Sequence, residues 1–172
     1  MHRLHLLRHA KASRDAGVED RERSLSKRGR EAARRLADGL PAALTTIDLV
    51  LCSPARRTRE TAELALAGLG PAPLVVFDEV LYLAGAAGLM RRLQRLDEAE
   101  GSVVVVGHNP GLHELALLLA DPNSPQYAAL AAGKFPTLAR ASLLIDGDWA
   151  RLDRQRHRLT DYATPKSPAD HR

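Results

Sequence analysis

The chain has 172 residues, 45% of them hydrophobic and 27% charged, which is typical of one globular domain with a sizeable core. A net charge of only +4 and a few scattered aromatic residues argue against a nucleic-acid-binding protein. No apolar run approaches the roughly 20 residues of a membrane span, and the N-terminal residues do not resemble a secretory signal. A single cysteine, Cys52, excludes an intramolecular disulfide, so we expect a cytoplasmic protein.

The first predicted strand is an apolar run from Leu4 to Leu7 that ends in Arg8 and His9. The charged, aperiodic residues 14–23 predict a loop that covers the end of this strand. Ser26 then predicts the N-cap of a helix that extends to Leu40, where Gly39 and Pro41 stop it. The outer face of this helix is basic, which is typical of a solvated surface.

A second strand is predicted at residues 47–51, and Ser53-Pro54 follows it directly. Serine before proline is the signature of an N-cap with proline at the first helical position, so the sequence predicts a helix from Pro54 toward Ala67. Arg56 and Arg57 would lie in its first turn, where unpaired backbone N–H groups already favour an anion.

The third strand is predicted at residues 74–77 and leads into Asp78 and Glu79, with a helix at about residues 86–96. The fourth, at residues 102–106, contains consecutive valines, as expected for a strand buried on both faces of a parallel sheet. His108 and Asn109 follow it, and Asn109 predicts the N-cap of a second proline-started helix.

The C-terminal part predicts a short helix after residue 125 and then a hairpin. Its strands would be residues 141–145 and 149–152, because Asp146-Gly147 between them is a strong tight-turn signal. The whole pattern predicts an α/β protein with a three-layer α/β/α sandwich and a mostly parallel central sheet. We expect one domain at residues 1–160 and a polar, frayed tail at residues 161–172.

Three predicted strand ends carry cationic or titratable side chains: Arg8 with His9, Arg56 or Arg57, and His108. The carboxyl ends of parallel strands meet at the edge of the sheet where ligands bind, so we expect these groups to form an anion site. A neutral imidazole can attack phosphorus, arginines hold phosphate oxygens, and a protonated His108 would add positive charge. The set favours phosphoryl transfer through a phosphohistidine.

Four segments carry a family resemblance. They are Leu6-Leu7-Arg8-His9-Ala10-Lys11-Ala12-Ser13, Ser53-Pro54-Ala55-Arg56-Arg57-Thr58-Arg59-Glu60-Thr61, Gly107-His108-Asn109-Pro110-Gly111 and Lys134-Phe135-Pro136-Thr137. In this order they resemble the histidine phosphatase superfamily, the group with phosphoglycerate mutases and acid phosphatases, and within it the SixA-type phosphohistidine phosphatases. The segment before the first helix, residues 23–29, is also similar to that family.

The resemblance implies that His9 is the nucleophile and that Arg8, Arg57 and His108 form the phosphate pocket, with no metal and no cofactor. It selects Arg57 over Arg56 as the phosphate ligand. Lys11 and Asn109 are further candidates for substrate binding. The general acid of the superfamily is not fixed by spacing, and Asp78 and Glu79 are the candidates.

Two positions depart from the family pattern. Ala10 replaces the glycine that much of the superfamily has after its histidine, which argues against a mutase. His113 stands where an acidic residue is expected.

The resemblance predicts a metal-independent phosphatase that removes phosphate from phosphohistidine on a signalling protein. The short segments between strands favour this partner, because they predict an open, shallow pocket that a protein can reach. The alternatives are a phosphatase for a small sugar or nucleotide phosphate and a phosphate-binding module without turnover. No nucleic-acid or membrane partner is expected.

Overall fold

The computed structural model, which describes residues 1–40, 44 and 46–165, contains a six-stranded sheet in the order β3-β2-β4-β1-β5-β6. The strands are β1 (His2–Arg8), β2 (Leu49–Cys52), β3 (Leu74–Phe77), β4 (Ser102–Gly107), β5 (Arg140–Ile145) and β6 (Arg158–Ala163). The pairs among β1 to β4 are parallel, whereas β5 runs antiparallel to both β1 and β6. The predicted α/β class and mostly parallel sheet are confirmed.

Helices cover both faces of the sheet. They are α1 (Lys27–Asp38), α2 (Arg56–Ala65), α3 (Ala86–Leu93), α4 (Gly111–Leu119) and α5 (Tyr127–Ala132). Helices α1 and α2 pack together over one apolar cluster, which includes Leu7 and Val50. Helices α3, α4 and α5 contribute to a second cluster on the other face, which includes Leu4 and Leu6. The three predicted layers are therefore present.

The centre of the sheet aligns the candidate site residues. The valines of β4, residues 103–106, are at most 1% exposed, and burying each side chain contributes roughly 1.5–3 kcal/mol. Strand β4 pairs with β1 so that Arg8 lies opposite Gly107. His9 and His108 each follow directly, and they therefore leave the sheet at the same edge.

Two predicted helix starts are wrong. Ser53 does not cap α2, which begins at Arg56 with Ala55 as its N-cap, although Arg56 and Arg57 do lie in its first turn. Asn109 does not cap α4, whose N-cap is Pro110. The polar side chains of Ser53 and Asn109 instead make longer-range hydrogen bonds in the candidate site. At α1 the Ser26 cap is confirmed, since its Oγ accepts the Gly29 N–H; Pro41 lies outside the described residues.

The predicted C-terminal hairpin is also wrong in its second strand. Residues 149–151 form a 3-10 turn whose Trp149 is fully buried, and the strand after β5 that pairs with it is β6. Residues 161–163, expected to begin a frayed tail, lie in that strand. Residues 166–172 are outside the described part of the chain.

Candidate active site

The structure brings the four principal site residues together at the carboxyl edge of the parallel strands. The rings of His9 and His108 have centroids 5.5 Å apart. Nη2 of Arg57, from the first turn of α2, lies 3.4 Å from Nδ1 of His108. Arg8, at the end of β1, is half-buried, and its charge acts on both histidines. The result is a cationic pocket between two imidazoles.

Of the two ring nitrogens of His9, Nδ1 makes a hydrogen bond and Nε2 makes none within the described residues. Its Nδ1 lies 2.7 Å from the carbonyl oxygen of Ala10, a contact in which the ring must donate a proton. That bond fixes the neutral tautomer with the lone pair on Nε2. Burial lowers the pKa of His9 to about 4, against the opposing effect of the Ala10 hydrogen bond and with further lowering by Arg57 and Arg8. His9 is therefore neutral, and nucleophilic, at pH 7.

The low pKa of His9 can be measured by NMR. As pH falls, an ordinary histidine gains its proton near pH 6.5, whereas His9 should remain neutral until about pH 4. We expect the carbon-bound ring protons of His9 to show no titration step between pH 8 and pH 5.5. The His9→Gln variant identifies the signal by its disappearance. A midpoint near 6.5 for that signal would contradict the neutral, buried nucleophile.

Asp20 holds Arg57 in place, a contact that the sequence prediction missed. The Arg57 guanidinium donates to the Asp20 carbonyl oxygen at 2.7 Å and to Oδ2 at 3.0 Å. Oδ2 also accepts the Tyr82 hydroxyl, while Oδ1 accepts from Arg23 at 3.1 Å. These donors, the Tyr82 hydroxyl first, lower the pKa of Asp20 to about 2. The charged loop predicted over the strand end thus supplies an anchor, in a 3-10 turn at Asp20–Glu22.

The residues around His108 favour its neutral form in this structure, whereas its protonated form is predicted for the phosphoryl-transfer step. Burial, followed by the charge of Arg57, lowers its pKa to about 3. The Arg57 guanidinium faces Nδ1, so Nδ1 is the acceptor nitrogen, and Nε2–H donates to Oγ of Ser53 at 2.7 Å. Ser53 is fully buried, and its hydroxyl orients the ring.

The late motif at residues 134–137 supports the pocket through its backbone. The carbonyl oxygen of Phe135 accepts from Arg8 Nη1 at 3.1 Å and from Asn109 Nδ2 at 2.9 Å. Asn109 also donates to the Lys134 carbonyl at 3.1 Å, so its amide ties the end of β4 to this segment. Asn109 therefore orients the pocket's wall in this structure, and substrate binding by its side chain stays a prediction.

The loop after His9 is fastened from two sides. Thr61 of α2 accepts the Ala10 N–H at 2.9 Å and donates to the Arg57 carbonyl at 2.7 Å, which couples the two strand ends. On the other side the Lys11 carbonyl accepts the Ser26 N–H at 2.9 Å. A Cβ on Gly29 would lie 2.1 Å from that carbonyl, so only glycine fits there. The Lys11 side chain is exposed, and its contact with substrate remains a prediction.

Both candidate general acids are held by arginines. Asp78 Oδ2 accepts from Arg92 at 2.6 Å, and Oδ1 accepts the Val80 N–H. Partial burial raises the pKa of Asp78, but these bonds outweigh it and the net shift is downward. The exposed Glu79 pairs with Arg21 at 2.7 Å, which lowers its pKa. At pH 7 both are carboxylates without a proton to donate.

His113, the second position that departs from the family pattern, has a structural role. His113 Nε2 lies 2.8 Å from the Leu130 carbonyl, and its ring stacks on Phe135 at 5.7 Å. It packs α4 against the segment that supports Arg8.

Among the described residues, no group of three or more His, Cys, Asp or Glu side chains could hold a metal ion. None of the described helices is long and apolar enough to cross a membrane.

Comparison with known proteins agrees with this geometry. The model of the histidine phosphatase superfamily (branch 1) matches residues 4–81, a range that includes Arg8, His9 and Arg57. An uncharacterised protein of Mycobacterium tuberculosis is 32% identical over 162 residues, which is 93% of this chain and 100% of the relative. The chain belongs to the histidine phosphatase superfamily, and its class of activity is that of a phosphatase.

Solved structures show which branch of the superfamily this chain is similar to. A Nakamurella multipartitia protein assigned as phosphohistidine phosphatase SixA is 30% identical with a TM-score of 0.81, over 96% of this chain and 97% of that one. An Agrobacterium tumefaciens protein with the same assignment is 31% identical with a TM-score of 0.77, over 96% and 99%. The protein histidine phosphatase SixA in complex with tungstate has a TM-score of 0.76 at 25% identity, over 95% and 97%. The predicted SixA-type relationship is confirmed.

Proposed function

We propose that this protein hydrolyses phosphohistidine on a signalling protein, through a phosphorylated His9. The observation that carries the proposal is a neutral His9, whose Nε2 has no hydrogen-bond partner among the described residues, beside two candidate acids that are both deprotonated and bound to arginines. A phosphatase for alkyl esters needs a proton for its leaving group, whereas a phosphohistidine phosphatase does not depend on one. The similarity to SixA proteins supports the same substrate class.

In the first step Nε2 of His9 attacks phosphorus, and the N–P bond of the substrate breaks. The substrate ring is protonated on its second nitrogen, with a proton that water can supply because protonated imidazole has a pKa near 6.5, and the imidazole therefore departs as a neutral molecule. The guanidinium groups of Arg8 and Arg57 bind the non-bridging oxygens, where negative charge spreads in the transition state. Arg8 Nε is buried and has no hydrogen-bond partner within the described residues, so it is available as one such donor.

His108 changes role when the phosphoryl group arrives. A doubly charged phosphoryl group next to its ring offsets the effect of Arg57, so it raises the pKa of His108 from the low value in this structure. The ring can then gain a proton and donate to phosphate. In the second step water attacks phosphorus, the P–Nε2 bond breaks, and orthophosphate leaves with neutral His9 restored.

The substrate class can be tested with a phosphohistidine protein and an alkyl phosphate ester, both assayed in excess EDTA. We expect kcat/KM for phosphohistidine to exceed that for the ester by about a hundredfold or more, the usual contribution of a general acid. The double variant Asp78→Asn, Glu79→Gln should keep phosphohistidine turnover within a few-fold of the unchanged protein.

Three results would count against this proposal. A large loss of phosphohistidine turnover in the double variant would indicate an obligatory acid. Equal turnover of the ester by the unchanged protein would favour a phosphatase for small molecules. Tight binding of vanadate without turnover of any phosphohistidine would favour a phosphate-binding module.

A further inference from the structure

Two segments of the chain border the mouth of the candidate active site. Asp20 belongs to the first, residues 18–22, and Tyr82 belongs to the second, residues 79–83. The ring centroids of Tyr82 and His108 are 5.6 Å apart, so the second segment reaches the pocket. The Tyr82 hydroxyl donates to Asp20, which also anchors an arginine of the pocket. The two segments therefore meet beside the pocket, and together we call them the rim.

The rim carries three large apolar side chains in water. Val18, Val80 and Leu83 are 42%, 58% and 56% exposed, and the last two lie on either side of Tyr82 in the sequence. The other large exposed hydrophobic residues among those described are Met1 and three residues of β3, which are Leu74, Val75 and Phe77. Exposed apolar side chains that are grouped beside a pocket are typical of an interaction site.

Leu83 is also held in an unusual backbone conformation. Its φ angle is +52°, in the left-handed region that a bulky side chain rarely adopts and that glycine or asparagine tolerates better. The next residue fixes this conformation: the Ala84 N–H donates to the Leu81 carbonyl at 3.3 Å, and a Cβ on Gly111 would overlap the Ala84 carbonyl oxygen. Conformations of this kind cluster at functional sites. A half-exposed leucine at such a position indicates that its side chain has a role at the pocket mouth.

The charges that join the two rim segments neutralise one another. Arg21 donates to Glu79 at 2.7 Å, and its guanidinium carbon lies 4.9 Å from the centroid of the Tyr82 ring. A charged partner therefore gains little from this pair of side chains. Burial of Val80 and Leu83 against another apolar surface is favourable, because it removes apolar area from water. The chemistry of the rim thus fits an apolar partner better than an acidic or a basic one.

We propose that the rim binds apolar side chains next to the phosphohistidine of a protein substrate, with Val80 and Leu83 as the main contacts. This inference rests on the proposed function and names the substrate feature that the same site selects. A histidine ring is one carbon away from its backbone, so a phosphorylated ring that reaches His9 brings the adjacent substrate residues onto the rim. A small phosphorylated molecule enters the same pocket without contacting Val80 or Leu83.

Three phosphohistidine substrates test this selectivity. They are a peptide in which leucines flank the phosphohistidine, a matching peptide in which serines flank it, and free phosphohistidine. We expect the unchanged protein to prefer the leucine peptide over the serine peptide by about tenfold in kcat/KM, mainly through KM, because leucine side chains become partly buried on the rim. Equal kcat/KM for the two peptides would overturn the inference.

The double variant Val80→Ser, Leu83→Asn tests whether these residues cause the preference. Asparagine tolerates the left-handed conformation at position 83, so the change removes apolar surface without adding strain. We expect this variant to turn over both peptides equally, and its turnover of free phosphohistidine reports whether the pocket is intact. The control is Leu74→Thr: Leu74 is 63% exposed but begins β3, at the edge of the sheet away from the pocket. This control should retain the preference for leucine.

The outcomes separate this inference from the function on which it rests. A preference for leucine that persists in the double variant, or that is lost equally in Leu74→Thr, would overturn the rim as its source. Absence of turnover for all three substrates by the unchanged protein would overturn the proposed function itself. Turnover of all three without any preference would overturn the inference alone.

Discussion

Replacement of His9 by alanine is expected to reduce turnover of a phosphohistidine protein by several powers of ten. The covalent step needs the lone pair on Nε2, and in the structure the Ala10 carbonyl fixes that lone pair toward the pocket. The matched control is His2→Ala, because His2 lies at the other end of β1 and contacts the Gly147 carbonyl there. We expect that variant to retain activity within a few-fold, with melting temperature as the check on folding. Activity of His9→Ala within a few-fold of the unchanged protein would show that another group is the nucleophile.

The same assignment predicts a trapped intermediate. When the enzyme is mixed with a labelled phosphodonor and quenched in alkali, label should remain on His9, since N–P bonds survive base and hydrolyse in acid. The His9→Ala variant should carry no label. Label that survives acid but is lost in base would lie on a group other than histidine and would exclude this mechanism.

The sequence was sufficient to place the strand ends. Consecutive valines in β4 and the apolar run of β1 each identify a buried parallel strand, and parallel strands bring their carboxyl ends to one edge. The meeting of His9 and His108 follows from that topology alone. Thus the positions of Arg8, His9 and His108 relative to one another could be predicted without knowledge of any distance.

The roles of polar side chains between these elements could not be predicted. Ser53 has the local signature of a helix cap, but its hydroxyl bonds to His108, a residue 55 positions away. Asp20 lies in a charged loop with no periodicity, and its partners Arg57 and Tyr82 come from α2 and from the turn after β3. Such contacts depend on how loops pack, which hydrophobic periodicity does not encode.

The wrong prediction of a strand at residues 149–152 has a similar origin. Trp149 follows a tight turn and therefore looked like the start of a strand, yet its backbone N–H bonds to Glu98 and its indole N–H to the Glu100 carbonyl. These distant acceptors hold a 3-10 turn in place of a strand. The later strand that pairs with β5 is β6, and its last residues, 161–163, belong to the polar segment that the sequence predicted as a tail.

Replacement of Arg57 by methionine is expected to lower kcat for phosphohistidine by about a hundredfold to a thousandfold, the usual cost of one preorganised donor to a developing negative charge. Arg57→Lys should recover only part of this loss, because lysine keeps the charge but not the planar fork. A decrease within a few-fold for Arg57→Met would remove Arg57 from the phosphate pocket.

Asp20→Asn extends this prediction to the residue that orients Arg57. The variant replaces the carboxylate that accepts a hydrogen bond from Arg57 Nη2 at 3.0 Å by a neutral amide. We therefore expect a smaller loss of kcat, about tenfold. Because Asp20 acts through Arg57, the double variant Arg57→Met, Asp20→Asn should be no less active than Arg57→Met alone. The control is Asp15→Asn, an exposed carboxylate on the same loop that accepts from Ser13 and should leave activity unchanged. Fully additive losses in the double variant would show that Asp20 contributes independently of Arg57.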